Sequence, residues 1–98
     1  MHVQIAPEQI EEFCRKWKIR EFALFGSVLR DDFRPDSDVD VLVEFDDSAA
    51  HSLFGHVRME GELAELFGRP VDLVEKSAVK NPFVRRHILG THRVIYHA

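Results

Sequence analysis

Apolar and polar residues alternate along the first half of the chain in patterns that predict one long helix and two strands. Apolar side chains recur at helical spacing in residues 7–17, which begin with a proline, and they predict an amphipathic helix. Two mainly apolar runs follow, at residues 21–25 and 39–45, and each predicts a buried strand. Between them, Gly26 and Ser27 begin a segment that can form one or two helical turns, with Ser27 near the N-cap.

The second half of the chain repeats the order of helix and strand. Apolar residues recur at helical spacing over residues 51–67, and the short apolar run at 71–74 predicts a third strand with a charge in its middle. Asn81 and Pro82 are the residue types of an N-cap and a first helical position, so they predict a last helix, and residues 94–96 predict an edge strand. The side chains expected to face the core in these two helices are Leu53, Phe54, Val57, Ala64, Phe67, Phe83, Val84, His87 and Ile88.

The order of these elements predicts a small fold that combines helices with a mixed sheet, of the α/β (α+β) class. Helices and strands alternate, which favours a mixed sheet of about four strands with helices packed on one face. A chain of 98 residues has room for one compact core. We therefore expect residues 1–98 to form a single domain.

Charge and cysteine content narrow the classes of function. Acidic residues outnumber basic residues by 17 to 13, whereas a dedicated nucleic-acid binder usually has a basic footprint, so direct nucleic-acid binding is not expected. The single cysteine, Cys14, excludes an internal disulfide and is expected to pack as a small apolar residue. The six histidines are scattered without standard zinc-ligand spacing. We see no signal peptide and no apolar run of the ~20 residues that span a membrane, so we expect a cytoplasmic protein without a membrane partner.

Asp38 and Asp40 stand at the entrance to the apolar run 39–45. Side chains alternate between faces along a strand, so the two carboxylates are expected on the same side, ~7 Å apart along the backbone. Two ionised carboxylates on one face repel each other and lose hydration unless a cation lies between them. Mg²⁺ commonly takes one or two protein carboxylates and completes its coordination with water and substrate phosphates. The pair therefore predicts a metal–nucleotide site.

Two further elements complete the predicted site. Gly26 and Ser27 lie where a strand passes into a helical turn, a geometry that presents backbone N–H groups to an anion. Asp72 occupies the middle of the third predicted strand, and it joins Asp38 and Asp40 if that strand lies beside the second. Three carboxylates can hold two divalent cations about 3.5–4 Å apart, the arrangement used for in-line phosphoryl displacement.

The combination of these motifs resembles the minimal nucleotidyltransferase family, within the DNA polymerase beta-like nucleotidyltransferase superfamily. The pattern comprises a glycine and a serine after a strand, ten intervening residues, an Asp-Val-Asp entering another strand and a later third aspartate, and the similarity covers nearly the whole chain. The resemblance implies that Gly26 lets the backbone approach a triphosphate and that Ser27 hydrogen-bonds a phosphate oxygen. It also implies that Asp38, Asp40 and Asp72 are catalytic and bind two Mg²⁺ ions, with Asp72 accepting the proton of the attacking hydroxyl.

The residues after the serine depart from the family pattern. Arg30 is implied to pair with the β- or γ-phosphate, although an ion pair with Asp31 or Asp36 is an equal alternative. Family members often have glycine after this arginine, where this chain has Asp31 followed by Asp32. Asp31, Asp32 and Asp36 are interpreted as a solvated acidic loop. The negative charges of Asp31 and Asp32 would nevertheless weaken the binding of a triphosphate unless these side chains point outward.

The same resemblance implies an enzyme that transfers AMP from ATP to a hydroxyl group and releases pyrophosphate. Similar proteins are antitoxins that neutralise a helical HEPN-domain ribonuclease toxin by adenylylating a tyrosine, so such a toxin is the implied partner, and a homo- or hetero-oligomer is compatible with it. Two alternatives stay open. One is a non-catalytic antitoxin that neutralises its partner by contact and has a degenerate nucleotide site, and the other is nucleotidyl transfer to a small molecule such as an aminoglycoside.

Overall fold

A computed structural model describes residues 6–29, 38–47, 49 and 52–98 of the chain. The helices and strands are α1 (Pro7–Trp17), β1 (Ile19–Phe25), β2 (Val39–Phe45), α2 (Leu53–Phe67), β3 (Val71–Glu75), α3 (Pro82–Thr91) and β4 (Arg93–His97). Short 3₁₀ turns, Gly26–Leu29 and Lys76–Ala78, follow β1 and β3. Within these ranges, no helix is both long enough and apolar enough to cross a lipid bilayer.

The helix boundaries follow local capping chemistry. α1 and β2 have the bounds predicted from the sequence. α2 begins at Leu53 rather than at residue 51, because Ser52 Oγ accepts a hydrogen bond from the backbone N–H of Gly55 at 3.3 Å and caps the helix there. The predicted N-cap of α3 is confirmed, since Asn81 Oδ1 accepts hydrogen bonds from the backbone N–H groups of Phe83 (3.0 Å) and Val84 (3.3 Å).

The four strands form a mixed sheet in the order β3-β2-β1-β4. β1 pairs antiparallel with both β2 and β4, whereas β2 and β3 are parallel. α2 leads from β2 to its parallel neighbour β3, and α3 leads from β3 back across the sheet to β4 at the opposite edge. The predicted fold class, a mixed four-stranded sheet with packed helices, is therefore confirmed.

The helices cover both faces of the sheet, so the prediction that they pack on one face is wrong. The buried residues of α1 and α2 pack with Val39 and Val41 of β2, whereas Ile88 of α3 packs on the opposite face against Ala23 and Leu42. Right-handed crossovers that run in opposite directions across a sheet place their helices on opposite faces. β2 contributes Val39, Val41 and Val43 to the core on the first face and Leu42 to the apolar cluster on the second, because helices cover both faces of this central strand.

Several residues predicted to face the core are exposed instead. The buried side chains are Met59 and Leu63 in α2 and Ile88 in α3. The exposed residues that the pattern placed inward are Leu53, Phe54, Val57, Phe83, Val84 and His87. A helical period identifies an apolar stripe, but it does not tell which turns of the helix lie over the sheet. In both helices the first turn lies outside the core.

Candidate active site

One corner of the sheet brings together residues from three strands. β1 ends at this corner, whereas β2 and β3 begin there, because β1 runs antiparallel to β2 and β3 is parallel to β2. In this register Phe25 pairs with Asp40, and Asp40 pairs with Asp72. The prediction that the strand of Asp72 lies beside the strand of Asp40 is confirmed.

Asp40 and Asp72 share a face of the sheet. Leu42 and Val74 lie two residues further along the same strands and belong to the apolar cluster that includes Ile88 of α3. Because side chains alternate along strands, Asp40 and Asp72 project from this same face, on strands about 4.8 Å apart. Asp40 is partly buried, Asp72 is exposed, and Asp38 is exposed one residue before β2 begins.

Gly26 packs directly against the carboxylate of Asp40. Its φ of 75° is a left-handed conformation that glycine adopts without steric cost. A β-carbon at this position would overlap Oδ2 of Asp40 and lie 3.2 Å from its Cγ. Any larger residue would displace the carboxylate. Glycine at this position therefore leaves space for the Asp40 carboxylate. This is a second reason for glycine here, besides the implied approach of the backbone to a triphosphate.

An open cleft of about 680 Å³ lies beside this corner. Pockets for small molecules commonly measure ~300–1,000 Å³, so the volume suits a nucleotide. The sheet supplies Asp40 to one wall, and α3 supplies His87 and Thr91 to the other, where Thr91 Oγ1 donates a hydrogen bond to the backbone carbonyl of His87 at 2.8 Å. The lining residues are Phe25, Gly26, Leu29, Asp40, Val84, His87, Ile88 and Thr91.

The contribution of α3 to this cleft is not predicted by the sequence analysis. The apolar pattern places Val84 and His87 in the core, but both line the cleft. Val84, His87 and Thr91 recur at spacings of three and four, so they share one face of the helix. A helix face that combines valine, histidine and threonine is more polar than a core face. This composition is the feature of the sequence that could have indicated that α3 lines a cleft.

The three predicted metal ligands have the right chemistry for Mg²⁺. Carboxylate oxygens are the hard donors that this ion prefers, and the paired positions of Asp40 and Asp72 fit a shared cation. In the parts of the chain that the structure describes, no group of three or more His, Cys, Asp and Glu side chains is arranged to hold a metal ion. Metal binding by Asp38, Asp40 and Asp72 remains a prediction.

Other predicted features lie outside the described residues. They are Arg30, Asp31, Asp32 and Asp36, and the side chain of Ser27. Phosphate binding by Ser27 and Arg30 therefore remains a prediction, and so does the effect of Asp31 and Asp32 on nucleotide affinity.

Comparisons with known proteins bear on this site. The sequence model of the nucleotidyltransferase domain family matches residues 6–95. Protein adenylyltransferase MntA of Thermococcus cleftensis is 39% identical over 71 residues, which make up 72% of this chain and 70% of that relative.

Solved structures agree with the sequence match. A structure assigned as a minimal nucleotidyltransferase is 32% identical and has a TM-score of 0.70, covering 89% of this chain and 86% of the other. The complex of a tri-AMPylated HEPN toxin of Shewanella oneidensis with an MNT antitoxin contains a chain that shares the fold at a TM-score of 0.66 and 17% identity, covering 94% of this chain and 70% of that one. The predicted resemblance is confirmed: this chain belongs to the nucleotidyltransferase domain family of enzymes.

Proposed function

We propose that this protein transfers AMP from ATP to a hydroxyl group of a partner protein and thereby acts as an antitoxin. The observation that carries the proposal is the pairing of Asp40 with Asp72 beside Gly26, at a cleft of nucleotide size. Paired carboxylates can hold the divalent cations used in metal-dependent transfer from a triphosphate, and the turn at Gly26 leaves the backbone open to a phosphate. The adenylyltransferase name of the relative from Thermococcus cleftensis supports AMP as the transferred group.

The residues of the chain divide the chemistry between them. Asp38, Asp40 and Asp72 would hold two Mg²⁺ ions, which supply neutralising charge for the phosphates and lower the pKa of the attacking hydroxyl. The turn at Gly26 leaves the backbone open to the triphosphate, and Ser27 would donate a hydrogen bond to a phosphate oxygen. Asp72 would accept the hydroxyl proton. A bond forms between the acceptor oxygen and the α-phosphorus, the bond from that phosphorus to the bridging oxygen breaks, and pyrophosphate leaves.

We propose a HEPN-domain toxin as the partner and one of its tyrosines as the acceptor. The complex from Shewanella oneidensis joins a tri-AMPylated HEPN toxin to an MNT antitoxin, and this chain shares the fold of one of its chains. A phenol has a pKa near ~10, far below that of an aliphatic alcohol, so a nearby base deprotonates it more readily. This supports tyrosine over serine or threonine.

Nucleotide binding tests the proposal against neutralisation by contact alone. ATP with Mg²⁺ at a hundred times its Kd is expected to stabilise the folded protein by about 2.7 kcal/mol, which appears as a rise in Tm. Asp40→Asn is expected to lose most of this shift. Asp47→Asn is the control, because the Asp47 side chain is 97% exposed and lies beyond the opposite end of β2. A wild-type protein whose Tm does not respond to saturating ATP and Mg²⁺ contradicts the proposal and favours a degenerate nucleotide site.

A further inference from the structure

Charge is strongly segregated along this chain. All 17 Asp and Glu residues lie within residues 1–75. Residues 76–98, the C-terminal segment, carry five of the 13 Lys and Arg residues and three of the six histidines, and no acid. This segment contains α3, which lies on the sheet face that carries Asp40 and Asp72. A basic helix therefore borders the acidic corner of the candidate active site.

Two of these basic residues are held by contacts within the fold, whereas Arg86 projects to solvent. Lys76 Nζ donates hydrogen bonds to Glu21 Oε2 at 3.1 Å and to Glu44 Oε2 at 3.2 Å. Arg85 Nη1 donates to the backbone carbonyl of Lys76 at 2.8 Å. Arg86 is exposed and forms no ion pair with any residue in the described ranges. Its charge is available to a molecule outside this chain.

The exposed surface of α3 also carries two apolar side chains. Phe83 is 81% exposed and Val84 is 48% exposed. Phe83 precedes Arg86 by three residues and His87 by four, so these side chains share one side of the helix. Gly90, four residues after Arg86, has no atom within 4 Å of the space that a β-carbon would take, so it leaves the helix surface open to close approach. We call Phe83, Val84, Arg86, His87 and Gly90 the α3 patch.

The α3 patch is continuous with the cleft. Val84 and His87 are exposed, and they also line the cleft together with Asp40 and Gly26. A molecule bound on the patch therefore lies at the rim of the site where the proposed transfer occurs. This position suits the acceptor, because its hydroxyl must reach the α-phosphorus while the rest of the acceptor stays outside.

We propose that the α3 patch is the docking surface of the acceptor protein, and that it binds an acidic segment with an apolar side chain close to the modified hydroxyl. The inference rests on the proposed function. Aromatic and arginine side chains together are typical of the residues that dominate protein–protein binding energy, and Arg86 complements an acidic partner. A nucleic acid fits less well, since the net charge of the chain is −4 and repels a polyanion at long range.

Peptide labelling tests the inference. The probes are two synthetic peptides with a central tyrosine and a neighbouring phenylalanine, one flanked by Asp and Glu and the other by Lys. Wild-type protein with α-labelled ATP and Mg²⁺ is expected to label the acidic peptide faster. Phe83→Ala and Arg86→Glu are each expected to slow this labelling about tenfold, the size of one hot-spot contact. The matched controls on α2, Phe54→Ala and Arg58→Glu, change an 86% exposed phenylalanine and an exposed arginine away from the cleft, and they are expected to keep the wild-type rate.

The two proposals fail in different ways. A wild-type protein that shows no Tm shift with ATP and Mg²⁺ contradicts the proposed function. Where that shift is present, the docking inference is overturned by equal labelling of both peptides, by labelling of neither, or by wild-type rates in Phe83→Ala and Arg86→Glu. It is also overturned if Arg86→Glu abolishes the ATP shift, if a single-stranded RNA oligonucleotide competes with the acidic peptide, or if Phe83→Ala dissociates a homodimer.

Discussion

Asp40 of β2 and Asp72 of β3 are direct partners across a parallel strand pair. Like charges placed opposite each other destabilise a sheet, on the scale of about 0.2–1 kcal/mol per cross-strand pair. The same strands carry Leu42 and Val74 two residues further on, in contact with the apolar cluster on this face. A cation between the two carboxylates would relieve this repulsion. We therefore interpret the two aspartates as ligands of a metal ion that accompanies the substrate, in line with the proposed function.

Asp72→Asn is predicted to make the metal-free protein more stable. Removing one charge of the pair is expected to raise the free energy of unfolding in EDTA by about 0.5 kcal/mol. The same change is expected to weaken the stabilisation that Mg²⁺ gives, because a carboxylate ligand is lost. Urea unfolding with EDTA and with Mg²⁺ measures both effects. Glu75→Gln, at the exposed far end of β3, serves as the control. A less stable variant with an unchanged response to Mg²⁺ contradicts this account of the pair.

Gly26→Ala is predicted to damage both stability and activity. Its positive φ and the overlap of a β-carbon with the Asp40 carboxylate are expected to cost about 1–3 kcal/mol and to move that carboxylate. In an Asp40→Ala background the overlapping atoms are gone, so the same substitution should cost less. Urea unfolding of the four proteins gives the coupling between the two positions.

Gly61→Ala is the matched control for this cycle. Gly61 lies within α2 and has no atom within 4 Å of the position that a β-carbon would take, so alanine there is expected to stabilise the helix by about 0.5–1 kcal/mol. Equal costs of Gly26→Ala with and without the Asp40 carboxylate would show that the two residues do not compete for space.

Cys14 is predicted to resist alkylation in the folded protein. It is fully buried on α1, as its apolar surroundings in the sequence indicate, and burial raises the pKa of its thiol to about 12. The reactive thiolate is therefore almost absent at pH 8. Mass spectrometry after iodoacetamide treatment should detect modification only when denaturant is present. Rapid modification of the native protein would contradict the buried position.

An ion cluster of Lys76, Glu21, Glu44 and Arg20 lies at the far end of the sheet from the candidate site, where Arg20 Nη2 donates a hydrogen bond to Glu44 Oε1 at 2.9 Å. Lys76 donates hydrogen bonds to Glu21 and Glu44. The hydrogen bond from Lys76 is the main cause that lowers the pKa of Glu44 below its ordinary value. Burial alone would lower the pKa of Lys76, but its hydrogen bonds to Glu21 and Glu44 outweigh burial and raise it. The cluster therefore favours the charged forms of Glu44 and Lys76.

Lys76→Met is predicted to flatten the acid dependence of stability. The contribution of Glu44 is present above the unfolded carboxyl pKa, near ~4.3, and is lost as pH falls through the lower folded value. The contribution of Lys76 is present below the unfolded amine pKa, near ~10.4, and is lost as pH rises through the higher folded value. Lys76→Met should lower Tm at pH 7 and reduce the drop in Tm between pH 7 and pH 3. Lys80→Met, at an exposed position, should follow the wild type, and identical acid profiles of Lys76→Met and wild type would count against the cluster.

Some of this architecture was predictable from the sequence, and some was not. The bounds of β2 and the position of the Asp72 strand beside the Asp40 strand are confirmed, because a short apolar run with a single acid near its start favours a strand with one end at a polar site. The side of the sheet on which α3 packs depends on strand order, which one-dimensional periodicity does not contain. For the same reason, the sequence placed Val84 and His87 in the core, whereas they line the cleft.

Asp40 is proposed to serve the transfer of AMP to a hydroxyl group of a partner protein. The most direct measurement is transfer of label from α-labelled ATP to a co-purified HEPN-domain partner in the presence of Mg²⁺. Wild type and Asp47→Asn are expected to label the partner on tyrosine, and Asp40→Asn is expected to lower the rate at least about 100-fold, as expected for removal of a group that stabilises transition-state charge. Labelling by Asp40→Asn at the wild-type rate would contradict the account.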